Sequence, residues 1–277
     1  MHLRSGLKLS SNLAGIREQL SINEGSRPAP ADSGVYYHPG SYVPLPGWRS
    51  LDAREARLLL TAAPTKEVAK NIYVGDIPAS LQAALGALGL QEVTSLEQVP
   101  EKVKEQEVLV KELSRQLDDF LRPFSSVKKY RFHRITRALP NRETVTNHWI
   151  RDKSVYIGLH IDQSRLFTPH TAYKSGNRIS INLSKETRHL AFVNLSLIQV
   201  YKMIKERAAP AGTVINADTI AQLFFTYFPG YPVIRLAVRP YQYYIAPTDN
   251  FFHDATTLGN RRIDVTIVYT GVFDTIH

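Results

Sequence analysis

The chain has 277 residues, 43% hydrophobic and 21% charged, with a formal net charge of +9 and a sequence pI of about 9.6. Those totals fit one sizeable packed globule and exclude a disordered chain. Cysteine is absent, which excludes disulfides and thiolate metal sites, so any transition metal must be held by His, Asp or Glu. No apolar run approaches the length of a membrane span. The basic N-terminus, MHLRSGLKLSSNLAGIREQL, lacks the apolar core of a signal peptide, so a soluble cytoplasmic protein with no membrane partner is expected. Basic residues are spread along the chain. The densest groups, Lys128-Lys129-Tyr130-Arg131 and Arg261-Arg262, fall in strand-like segments with no recognition helix. That pattern argues against nucleic acid as a partner.

In chain order, residues 1 to about 50 are punctuated by Pro28, Pro30, Pro39, Pro44 and Pro46 and read as irregular. Residues 52–63 and 78–89 favour helix, the second with Pro78 at the first helical position. A longer helix is expected after Pro100 and up to Pro123. Val103, Val110, Leu113, Leu117 and Phe120 give it one apolar stripe. From Val127 the texture alternates as strands do. VKKYRFHRITRAL, SVYIGLHID, RISINLS and HLAFVNLSL read as strands, the last two joined by a hairpin connection through residues 184–188. Helices are expected at 197–208 and 217–228, then strands in VIRLAVRPYQYYIAP and NRRIDVTIVYTGVF. A helical N-terminal region followed by a β-rich half suits a sandwich or barrel.

GLHIDQ, residues 158–163, carries the first chemical signal. Alternation along a strand puts His160 and Asp162 on one face, with Leu159 and Ile161 on the other. An imidazole and a carboxylate so placed can reach one metal ion. His253 stands in YIAPTDNFFHDATTLGNRR, ahead of a Gly-Asn turn and a last strand that opens with Arg261-Arg262. A site of His160, Asp162 and His253 would be a two-histidine, one-carboxylate triad. Its three open coordination positions suit Fe(II).

The order HxD, distal His and a following Arg resembles the Fe(II)/2-oxoglutarate-dependent oxygenase superfamily over roughly residues 127–277. The resemblance implies an α+β fold. Its core would be a double-stranded β-helix (jelly roll, cupin-like), and residues 1–126 would form an irregular and helical buttress of the same globule. It implies Fe(II) on His160, Asp162 and His253, with 2-oxoglutarate and O2 as cosubstrates. The reaction implied is hydroxylation, desaturation or cyclisation at an unactivated C–H bond of a small polar metabolite, with decarboxylation of 2-oxoglutarate to succinate. Asp162 favours oxygenation over halogenation, because halogenating members carry a small residue there. The far carboxylate of 2-oxoglutarate would meet Arg262, or Arg261, since alternation lets only one face inward.

Other residues are candidates for contacting the substrate. Arg178 and Arg188 would anchor a carboxylate or phosphate, His170 lies in a loop near the mouth, and Tyr244 belongs to a late aromatic cluster. The charge suggests an anionic or carrier-tethered small molecule. A cupin-like metalloenzyme without 2-oxoglutarate and a non-catalytic jelly-roll binding protein are the rival classes. Neither a GxSxG elbow nor an HExxH helix is present.

Overall fold

A computed structural model of the chain describes residues 1–31, 34–63, 67–162, 167–207 and 212–275. The first fifty residues contribute six short strands rather than an irregular lead: β1 (Lys8–Ser11), β2 (Leu20–Ile22), β3 (Ser26–Pro28), β4 (Tyr36–Tyr37), β5 (Tyr42–Pro44) and β6 (Arg49–Ser50). Pro28 and Pro44 end β3 and β5, which pair only with each other. A proline's missing amide is tolerated at such a position.

α1 (Ala53–Leu59) starts at Asp52, whose carboxylate accepts the Glu55 amide at 2.7 Å while the Glu55 carboxylate accepts the Asp52 amide at 2.9 Å. This reciprocal cap fixes the helix start. β7 (Asn71–Asp76) and α2 (Ala79–Ala87) follow, with Pro78 as the cap of α2 rather than its first residue. The long helix expected after Pro100 is two, α3 (Gln98–Glu105) and α4 (Glu107–Leu121). Gln106 separates them: its φ of −114° and ψ of 41° leave the helical region, and its Nε2 donates to the Leu88 carbonyl at 3.1 Å. Pro100 sits inside the first turn of α3, where no amide is needed.

The β-rich half contains β8 (Tyr130–Ala138), β9 (Asn147–Ile150), β10 (Lys153–Tyr156), β11 (Asn177–Asn182) and β12 (Arg188–Phe192). After α5 (Leu197–Glu206) and α6 (Ile220–Tyr227) come β13 (Ile234–Val238), β14 (Gln242–Ala246), β15 (His253–Thr256) and β16 (Asp264–Gly271). Residue 208 of the helix expected at 197–208 lies outside the described residues.

One sheet has the order β1-β7-β14-β11-β16-β8 and the second β15-β12-β13-β2-β6. β11 and β12 therefore lie in different sheets, so residues 183–187 cross between sheets instead of turning a hairpin. The run VIRLAVRPYQYYIAP likewise splits into β13 and β14, broken at Pro240-Tyr241, where Tyr241 takes φ 63°. Ile179, Ile181, Tyr243, Val265 and Ile267 leave the first sheet on one face and pack under Leu81, Leu85, Leu113 and Leu117 of α2 and α4. The second sheet packs Leu190, Phe192, Ile234 and Leu236 in a core with Val200 and Ile204 of α5 and Phe224 and Phe225 of α6. Alternation sends Arg178, Ser180, Tyr244, Thr266 and Val268 of the first sheet to its other face, where they line a cavity. Among the described residues no helix is long and apolar enough to cross a membrane.

Candidate metal centre

His160 and His253 oppose each other in an antiparallel bridge and exchange both backbone hydrogen bonds. The His160 amide donates to the His253 carbonyl at 3.0 Å, and the His253 amide donates to the His160 carbonyl at 2.8 Å. Directly opposed residues project to the same face, and the two ring centroids are 4.8 Å apart. The Asp162 amide donates to the Thr248 carbonyl at 3.1 Å, which ties down this segment two residues beyond His160. Residues 157–162 are not a continuous strand, yet the expected pairing of His160 and Asp162 on one side survives. Gly158 makes the entry to this segment. It takes φ +68°, and a Cβ there would lie 2.3 Å from the Tyr42 carbonyl oxygen.

The ring orientations are set by backbone. His160 Nδ1 donates to the Gly158 carbonyl at 2.7 Å, and His253 Nδ1 donates to the Phe251 carbonyl at 3.3 Å. A carbonyl only accepts, so each neutral ring keeps its proton on Nδ1 and presents the Nε2 lone pair. Both Nε2 atoms converge on Asp162: His160 Nε2 is 3.8 Å from Oδ1 and His253 Nε2 is 3.5 Å from Oδ2. One donor atom from each of the three residues falls within 4.8 Å of the others. An ion about 2.1 Å from each donor spans separations up to about 4.2 Å, so either histidine and Asp162 share an ion without rearrangement. The donors, two imidazole nitrogens and a carboxylate oxygen, fit Fe(II).

Neighbouring groups hold this arrangement. Arg178 Nε lies 3.1 Å from Asp162 Oδ2, and its Nη2 lies 3.9 Å from Asp249 Oδ1. Behind His160, Asp254 accepts from Thr146 Oγ1 at 2.7 Å and from the Ala255 amide at 2.7 Å, and its Oδ2 is 4.0 Å from His160 Nδ1.

The electrostatics follow from burial and these contacts. Burial, then the neighbouring His253, pushes the His160 pKa down to about 4. Burial opposes charge on Asp162 too, but His253, Arg178 and His160 outweigh it and hold the carboxyl well below its usual range. For His253 burial again opposes charge, and Asp162 outweighs it, so the net shift is upward. Asp162 and His253 thus favour each other's charged forms. Burial pushes Asp254 up to about 7 and Asp249 up to about 6.

The donors open into a cavity of ≈ 300 Å³ walled by Ser180, Leu190, Tyr244, Ala255 and Thr266. Arg188 of β12 also lines it. It is buried, its Nη1 donates to Thr266 Oγ1, and Nη1 lies 3.6 Å from Asp264 Oδ2. Of the residues singled out from sequence, His160, Asp162, His253, Arg178, Arg188 and Tyr244 meet in this one cavity. Arg178 turns to the Asp162 carboxylate.

Arg261 and Arg262 do not reach the cavity. Both are exposed, and β16 begins only at Asp264. Their amides donate to Glu186 Oε2 at 2.9 and 2.8 Å, which fixes the pair in the turn before the strand. Asp264 and Thr266 take the inward positions that one arginine was expected to hold. His170 is also outside: it is exposed and packs edge-on against Tyr201, centroid to centroid 4.3 Å. The sequence reading missed Asp249, Asp254 and Thr266. Thr266 had a usable signal, because it shares a strand face with Asp264. The two aspartates had none beyond proximity to His253.

No family model matches the chain, and no curated protein does. Two solved structures are similar to it, both of the Kdo hydroxylase KdoO, a non-heme Fe(II) alphaketoglutarate-dependent dioxygenase, one apo and one with cobalt(II). Each is 12% identical, covers 75% of this chain and 81% of the other, and superposes with a TM-score of 0.40.

Proposed function

We propose that the chain is an Fe(II)/2-oxoglutarate-dependent oxygenase built on a double-stranded β-helix. The observation that carries the reading is the convergence of two backbone-pinned imidazoles on Asp162, inside a cavity that also holds a buried arginine. The strand connections support the fold. β8, β11, β14 and β16 lie in one sheet and β12, β13 and β15 in the other, with the His160 segment bridged to β15. Successive core segments thus alternate between facing sheets, with β12 and β13 as the one pair that turns back within a sheet. Residues 127–277 make this core. Residues 1–126 act as its buttress in the same globule, extending both sheets through β1, β7, β2 and β6.

His160, Asp162 and His253 hold the metal, and Arg178 orients Asp162. Arg188, rather than Arg261 or Arg262, meets the far carboxylate of 2-oxoglutarate. His253 lies opposite Phe192 on β12, so Arg188 stands four residues, roughly 13 Å of strand, from the metal end. Both side chains reach inward across that interval, which suits a five-carbon diacid. When bound, iron and 2-oxoglutarate supply the oxidation: O2 and 2-oxoglutarate yield succinate and carbon dioxide while one oxygen atom goes to a C–H bond of a small substrate.

The purified chain incubated aerobically with Fe(II) and 2-oxoglutarate should form succinate. Arg188→Met should weaken 2-oxoglutarate binding by about 10- to 100-fold, the loss of a charge-assisted hydrogen-bond pair. No succinate from the wild type, or unchanged affinity in the variant, would count against the respective assignment.

A further inference from the structure

We propose that the substrate of this site is a small polyanion, a metabolite carrying two or more phosphate or carboxylate groups, seated on Lys129, Arg131, Arg134 and Lys174. The inference rests on the functional reading above for its substrate role, but the binding surface stands on its own observations.

The metal cavity opens into a vestibule of ≈ 590 Å³, and the two share His133, Arg178 and Thr248 as walls. That volume is of the size that holds a small ligand. Lys129 and Arg131 line the vestibule from the β8 side and Lys174 from the turn Ala172–Lys174, while Arg134 lines the inner cavity.

The geometry of β8 is the decisive feature. Arg131 and Arg134 are three residues apart, and a regular strand would send them to opposite faces. A bulge between Val268 and Tyr269 in the β16 register changes this: Arg134 pairs with Val268 and Arg131 with Thr270. Val268 and Thr270 are two apart on β16 and share its cavity side, so both arginines are brought to the mouth. Bulges re-aim side chains in this way.

The local charges do not cancel. The carboxylates lining the two spaces are Asp162, Asp249 and Asp264. Arg178 faces the first two and Arg188 the third. Among the described residues no ion pair joins Lys129, Arg131, Arg134 or Lys174 to any carboxylate, and the bound metal would add positive charge. His133 registers the same field: burial first, then Arg134, Arg178 and Arg131, hold its pKa down, against Asp162. A concave, uncompensated cationic mouth concentrates anions and selects for multiple charge.

The test is calorimetric binding of fructose 1,6-bisphosphate, fructose 6-phosphate and fructose to the full chain loaded with Co(II) and 2-oxoglutarate. The bisphosphate should bind at least tenfold more tightly than the monophosphate, and fructose should not bind. Raising the salt should weaken the bisphosphate, and Arg131→Gln/Lys174→Gln should lower its affinity at least tenfold. Lys111→Gln, on the far surface of α4, should leave it unchanged. Circular dichroism checks that each variant is folded. Equal binding of all three sugars, no binding of any, or unchanged affinity in the double variant would overturn the proposal. A single-stranded oligonucleotide that displaces the bisphosphate and binds more tightly would overturn it in favour of nucleic acid. His253→Ala, which removes a metal ligand, should still bind the bisphosphate. Bisphosphate binding without succinate formation would therefore sink only the oxygenase reading, and succinate formation without bisphosphate binding only this one.

Discussion

At the scale of single residues, the site depends on where protons sit. Each histidine gives its Nδ1 proton to a carbonyl two residues back, so the backbone chooses the tautomer that frees Nε2. Asp162 raises the pKa of His253, so its protonated ring persists to higher pH than in an ordinary histidine. A metal must displace that proton. Metal affinity should therefore rise with pH from below the ordinary histidine value of about 6.5 to the raised pKa of His253, by about tenfold per pH unit, and flatten above it. Co(II) titrations at several pH values should show proton release on the acid side of that raised pKa; a flat profile would contradict the coupling of His253 to Asp162. The clustering of His160, Asp162 and His253 was legible in the sequence. HxD spacing and a distal histidine carry the triad because strand alternation is a local rule. Arg261-Arg262 was expected to face inward because the pair was read as lying in the last strand, which starts only at Asp264. Glu186, distant in sequence, holds both amides in a turn instead.

At the scale of elements, the connection into the metal segment is a constrained bend. Gly158 follows β10 with a positive φ and has no room for a Cβ beside the Tyr42 carbonyl, which accepts the Leu159 amide at 2.8 Å. Gly158→Ala meets both the left-handed backbone and a backbone oxygen that has no freedom to move away. It should destabilise the chain by about 1–3 kcal/mol and displace His160 enough to weaken Co(II) binding. Denaturant unfolding and metal titration of the variant measure both effects; wild-type values would show that the bend is not needed. Helix positions were legible from apolar periodicity. The break at Gln106 was not, because it is made by a hydrogen bond to Leu88 eighteen residues earlier. The strands were legible too, but which sheet each joins was not. RISINLS and HLAFVNLSL look like a hairpin locally, and only the competing pairings of β11 with β16 and β12 with β15 separate them.

At the scale of the whole molecule, two facing sheets enclose a charged cavity while helices cover the outer face of one and the N-terminal strands lengthen both. Short strands in residues 1–50 were invisible because prolines and glycines interrupt that stretch and the pairing partners lie far away in sequence. Burying histidines in such a framework makes stability depend on pH. Burial and Arg235 push His189 down to about 4. Between the unfolded value of about 6.5 and that folded value, the unfolded chain binds a proton that the folded chain refuses. His189 thus contributes nothing against folding above about pH 6.5, and stability falls as pH drops from there to about 4. Denaturant midpoints of the wild type and His189→Gln over this range should converge in slope only above pH 6.5; parallel losses below it would show that His189 is not the source.

On the proposed function, this cavity binds iron and 2-oxoglutarate together. Anaerobic addition of 2-oxoglutarate to the Fe(II)-loaded chain, followed by visible absorption, tests it most directly. A metal-to-ligand charge-transfer band should appear that saturates with 2-oxoglutarate, persists in Arg261→Ala and Arg262→Ala, needs far more 2-oxoglutarate in Arg188→Met, and is absent in His253→Ala. An iron-loaded wild type that shows no band at any 2-oxoglutarate concentration would contradict it.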